Sequence, residues 1–137
     1  MNNIIKLKEE RIMSIVKYLF HISNFLLAVL YLYPGSIFGC FLYDDCYIQP
    51  QLTKDFLVSS NHVYAFGLLS IMGFINYYKK NKYLIIIYFF AISIIFECMH
   101  LVIPYRGFQF ADLFGNIIGV LLSLIIINVI YFWKEKL

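Results

Sequence analysis

Charged residues are scarce: Asp, Glu, Lys and Arg make up only 14% of the 137 residues, against 62% hydrophobic. A small water-soluble domain keeps much of its area in solvent, so this balance excludes a soluble fold and leaves a membrane protein. The formal charge of +3 is small, and no basic stripe is present, which removes nucleic acid as a partner. Three cysteines, Cys40, Cys46 and Cys98, match no paired CxxC spacing, so a structural zinc site of the finger type is excluded. The HExxH order of zinc hydrolases and the GxSxG elbow of serine hydrolases are both missing. Cys98 stands in an apolar run and reads as a small buried hydrophobe.

What remains is apolar sequence in long runs. Residues about 12–33, 62–78, 83–103 and 111–133 are each long enough to cross the roughly 30 Å of a bilayer's hydrocarbon. The expected fold is all-α, a four-helix transmembrane bundle in a single domain over residues 1–137. No small-x-small cleavage site follows the first run, where Tyr33-Pro34-Gly35-Ser36 stands, so that run is expected to be an uncleaved signal anchor. His21 within it reads as bonded to a neighbouring helix. Residues 34–61, with Pro34, Gly35, Gly39, Pro50 and three aspartates, show no sustained period and form the long outer loop.

Orientation follows from the basic residues. Placing both termini and the Lys79–Lys82 turn in the cytoplasm puts nine of the eleven there, all but Lys54 and Arg106. Tyr31, Tyr33, Tyr77, Tyr78, Tyr83, Tyr131 and Trp133 fall at span ends, where an interfacial aromatic belt is expected. The loop carrying Cys40 and Cys46 then faces an oxidising compartment, in which the two are candidates for a disulfide.

The unusual polar residues gather on that outer side. Glu97 and His100 are three apart, and Asp112 and Asn116 four apart, so each pair shares one helical face. Measured from Ile103, Glu97 should lie about 9 Å below the end of its span. His62 opens the second span, and Arg106 stands in the turn between the third and fourth. Ionisable groups at membrane depth are costly and mark function by default. The six define an outward polar pocket in which Arg106 would grip an anionic group and Asp112 and Glu97 would orient the arginine. Asn116 would bond to the ligand or the facing helix, and His62 or His100 would move a proton if the site carries out chemistry. The competing reading is a packing network in which Arg106 pairs with Glu97 or Asp112. No metal or other cofactor is expected, because Arg106 would repel a dication and favour a carboxylate or phosphate. Gly115 and Gly119 form a GxxxG pair that admits a close helix approach, and Pro104 ends the third span.

The run Glu97-x-x-His100, Pro104-x-Arg106, Asp112-x-x-x-Asn116-x-x-Gly119 resembles the signature of VanZ-like membrane proteins, small multi-span proteins of bacteria. The family pattern commonly has glutamine where His100 stands, and an Asp-Lys pair where this chain has Val58-Ser59. His62 looks like the histidine at the head of the family's second span. The resemblance implies a cell-envelope protein of the bacterial cytoplasmic (inner) membrane, in a family whose namesake is linked to resistance to glycopeptide antibiotics such as teicoplanin. The expected partners are membrane lipids, among them an anionic lipid-linked precursor. Two alternatives stay open: a transferase or hydrolase acting on such a lipid with Glu97 or His100 as base, and a structural subunit of a larger membrane complex.

Overall fold

The computed structural model describes residues 2–136 and is helical throughout, with no strand among the described residues. The elements are α1 (Asn2–Leu32), α2 (Ile37–Tyr43), α3 (Ser60–Met99) and α4 (Phe110–Lys136). Three of them, α1, α3 and α4, are long and apolar enough to cross a membrane.

The longest, α3, is not one rod. A straight helix of its 40 residues would measure about 60 Å. Yet donor atoms of His62 and Glu97, near its two ends, lie within 4.8 Å of each other, and the rings of Phe74 and Phe89 pack at 5.2 Å. The break is at Asn81, whose φ of −142° and ψ of 56° are not helical. The chain reverses there, and its two arms, residues 60–80 and 82–99, run side by side in opposite directions. Lys79, Lys80 and Lys82 mark this turn, as the interruption of the apolar run predicts.

Several boundaries differ from the sequence reading. The first helix starts at Asn2, not near residue 12, because its charged segment is built of helix formers such as Lys, Glu and Leu. The third span stops at Met99, short of residue 103. From there the N–H groups of His100, Leu101 and Val102 reach back only three residues, which tightens the last turn. Pro104 disfavours helix at the residue before it. Glu97 is therefore about 3 Å from the helix end, not 9 Å. The outer loop holds a short helix of its own, α2, whose first turn is capped by Ser36 Oγ accepting from the Gly39 N–H at 3.0 Å. A disulfide joins Cys40 to Cys46. The loop is tied down where it meets α3: Asp55 accepts from the Ser60 N–H at 2.7 Å, and Asn61 donates to Pro50 O at 2.7 Å.

Two kinds of contact hold the helices together. Phe20 of α1 meets Phe89 edge-on at 6.1 Å, and Phe89 in turn packs on Phe74 and covers Gly73, where any side chain would collide with the ring. The first arm of α3 crosses α4 at the glycines. A Cβ on Gly115 would come within 2.6 Å of Ser59 O, and one on Gly119 within 2.6 Å of Val63 O. This backbone approach is the one a GxxxG pair allows, and Ser123 Oγ secures it by donating to Gly67 O at 2.7 Å.

Candidate functional site

Four helix ends converge on one side of the molecule: the C-terminal end of α1, both ends of α3 and the N-terminal end of α4. Asn116 is the junction. It is fully buried, its Oδ1 accepts from Tyr31 OH at 2.7 Å and lies 3.1 Å from His62 Nδ1, and its Nδ2 points at Ser93 O at 3.4 Å. One side chain thus touches α1, both arms of α3 and its own helix.

That junction fixes the protons of His62. An amide oxygen can only accept, so Nδ1 carries the hydrogen. His62 Nε2 is then turned toward Asp112 Oδ2, 3.8 Å away. His100 repeats the pattern. Its Nε2 lies 3.0 Å from Tyr31 O, a carbonyl that must accept, which leaves Nδ1 facing Glu97 Oε2 at 3.3 Å. The two carboxylates differ in their other contacts. Glu97 Oε1 accepts from the Gln109 N–H at 2.8 Å, capping the start of α4, while Glu97 Oε2 is buried with no hydrogen-bond partner among the described residues. Asp112 lies in the first turn of α4. Both acids are therefore near the positive end of a helix dipole, equivalent to about half a unit charge.

Arg106 does something the sequence does not anticipate. Its Nη2 donates to Leu30 O at 3.0 Å and its Nε to Tyr33 O at 3.4 Å, so it closes the C-terminal end of α1. No ion pair within 4 Å links it to Glu97 or Asp112 among the described residues; carbonyls, not carboxylates, orient it. Partial burial pulls its pKa below the ordinary arginine value, while the fields of Tyr31, Asp112 and Glu97 act against that shift. The guanidinium stays charged at neutral pH. Tyr105, just before it, takes a left-handed φ of 62°, a strained setting for a bulky residue.

Beside the junction is a cavity of about 440 Å³, roofed by α2 and the loop that follows it. Its walls are mostly apolar, with Leu27, Leu30 and Ile37 among them, and its charged or titratable lining comes from Tyr31, His62, His100 and Arg106. Glu97, Asp112 and Asn116 stand behind the histidines and do not line it. The six residues singled out in the sequence are thus brought to one end, but they divide into three that face the cavity and three that sit in the packed junction.

Tyr31 belongs to this site, not to the interfacial belt that its place at a span end suggests. Only 7% exposed, it hydrogen-bonds Asn116 and stacks on His100 with ring centroids 5.8 Å apart. A signal for it exists: Phe20, Asn24, Leu27 and Tyr31 recur at helical spacing, and that stripe faces the other helices. Tyr78 is likewise internal, donating to Asn128 Oδ1 at 2.6 Å. Cys98 is exposed rather than buried, because it follows inward-facing Glu97 by one position and so turns about 100° away. His21 bonds across to Tyr77 OH at 2.9 Å, as a histidine packed on a neighbouring helix should.

Long apolar helices joined at one end by buried acids, histidines and an amide define a multi-helix protein of membrane type with a polar site under one face. The sequence pattern of the VanZ/LLP1 family matches residues 3–131, nearly the whole chain, and the protein belongs to that family. No match was found among curated proteins or among solved structures.

Proposed function

We propose that the chain crosses the bacterial cytoplasmic membrane four times with both termini inside, and that its outer cavity binds an anionic envelope lipid or lipid-linked precursor. The fold of α3 supports the count: arms of residues 60–80 and 82–99 extend about 31 and 27 Å, each close to the hydrocarbon thickness. The lysine-rich turn and the two termini share one end of the molecule, which suits a cytoplasmic face. The disulfide Cys40–Cys46 is at the other end, and disulfides persist on the oxidising side.

The observation that carries the lipid reading is the cavity itself, apolar along its walls with Arg106 at its edge. Two hydrogen bonds to α1 hold the guanidinium in place, and the rest of its five N–H donors can meet a phosphate or carboxylate. Binding of a lipid-linked precursor on this side would also fit the link to glycopeptide resistance of the teicoplanin type that the family resemblance implies. Arg106→Ala, in protein shown to be inserted and folded, is expected to cut retention of anionic lipid about tenfold or more, with Arg106→Lys intermediate. Unchanged retention together with unchanged teicoplanin susceptibility would count against the pocket. Reporter fusions that put Arg106 in the cytosol would remove its basis.

Chemistry on the same lipid is the second reading, favoured by one contact. His100 both lines the cavity and faces Glu97 at 3.3 Å, so an acid–base pair is within reach of a bound headgroup. Conversion of a lipid by the purified protein, lost in Glu97→Gln while binding persists, would establish it.

A further inference from the structure

We infer that His62, Glu97 and Asp112 form a binding site for one divalent transition-metal ion, of the zinc or manganese kind. Each offers one donor atom, and the three donors lie within 4.8 Å of one another, His62 and Glu97 buried and Asp112 half-buried. Donors around one such ion at about 2.0–2.2 Å stand roughly 3.3 Å apart, so closing the site takes side-chain movements on the order of 1 Å.

Three features point to a cation. His62 is already held as a metal-bound histidine is held: its Nδ1–H is fixed by Asn116 Oδ1, which itself accepts from Tyr31 OH, so the bare Nε2 is aimed inward. That nitrogen faces Asp112 Oδ2 at 3.8 Å, two acceptors confronting each other with nothing to bond them. Glu97 Oε2 is the third. It is fully buried in the same cluster and accepts no hydrogen bond among the described residues; its near neighbour is His100 Nδ1 at 3.3 Å, a nitrogen left bare by the bond of Nε2 to Tyr31 O. A buried carboxylate oxygen with no donor is costly unless His100 is protonated or a cation binds. The dipole of α4 offsets only part of the charge on the two acids.

The objection from the sequence was that Arg106 would repel a dication. Its guanidinium is instead engaged with the carbonyls of Leu30 and Tyr33 and forms no ion pair with either acid among the described residues. One imidazole and two carboxylates suit zinc or manganese, and three protein donors leave further coordination positions vacant, as in sites that bind a ligand through the metal. The inference does not rest on the lipid reading. The competing account is that protons alone neutralise the cluster, with each histidine charged beside its acid.

Full-length protein without a histidine tag, in discs of zwitterionic lipid and stripped by chelator, is titrated with Zn²⁺ and then Mn²⁺ by equilibrium dialysis. The expected result is about one equivalent per chain, saturating in the micromolar range, with protons released as the metal binds. Asp112→Asn and His62→Gln are each expected to weaken binding at least tenfold, while His21→Gln at the opposite end leaves it unchanged. Should the first two variants fail to fold, X-ray absorption of the zinc-loaded native chain decides. One imidazole among oxygen donors supports the site, whereas a sulfur donor or no imidazole overturns it. A flat titration also overturns it and favours the protonated cluster. No anionic lipid is present in this experiment, so its failure leaves the lipid reading standing, and loss of lipid binding leaves the metal site standing.

Discussion

The two ends of the molecule treat their charges in opposite ways. At the lysine-rich end, Lys79, Lys82 and Lys136 stay exposed and lie over the rings of Tyr131, Tyr78 and Phe132 at 5.1, 5.0 and 4.3 Å. Water and the headgroups solvate such charges, and each acts nearly alone. At the other end Glu97, His100 and Asn116 are buried, and each depends on a partner outside its own helix. Exposed charges can therefore be counted, which is why the basic residues predict orientation. Buried ones have meaning only in pairs, which is why their roles needed the fold.

Substitutions can break or sharpen that contrast. The largest effect is expected at the junction, where Asn116→Leu strands the hydroxyl of Tyr31 and the Nδ1–H of His62. An average interhelical hydrogen bond contributes only about 0.6 kcal/mol in a membrane, and the best about 1.7. Losing several at one buried point is expected to cost ~2–4 kcal/mol in a reversible denaturation series in detergent. A loss below 0.5 kcal/mol would mean that the junction is not what holds this end together.

Gly119→Val should come next. Its side chain would be driven against Val63 O and the Gly67 backbone, and overpacking of this kind costs about 1–3 kcal/mol. Weakening of the α3–α4 contact can be read by cysteine cross-linking between the two helices, which should fall with stability. Cross-linking at the native level would show that the helices can separate here without penalty.

Lys82→Ala at the opposite end is expected to change stability by about 0.5–1 kcal/mol at most, the scale of one exposed cation–aromatic contact. A larger loss would erase the distinction between the ends. The same substitution made together with Lys79→Ala and Lys80→Ala should instead disturb orientation, seen as a mixed reporter signal at the Asn81 turn.

Much of this organisation was legible before the fold. Hydropathy located the apolar segments and the turn at Lys79–Lys82, because a helix needs a fixed length to cross a bilayer. Spacing placed Glu97 with His100 and Asp112 with Asn116, and those pairs do share their surroundings. The GxxxG pair announced a close approach of another helix to α4, though not that the first arm of α3 makes it. Less legible were the ends of elements. The stop at Met99 and the short helix α2 depend on local turn bonds and on loop contacts that periodicity does not record.

The residues themselves determined that this is an apolar helical protein with one polar face, since helix period and hydrophobic run length are local properties. Only the tertiary structure decided who meets whom. Tyr31 reaches Asn116 across 85 positions, Arg106 reaches Leu30 across 76, and His62 reaches Asn116 across 54. Nothing local encodes such distances. They arise because α3 doubles back at Asn81 and the glycines of α4 let it close in, and that packing sets Arg106 apart from the acids and buries Glu97 Oε2 against His100.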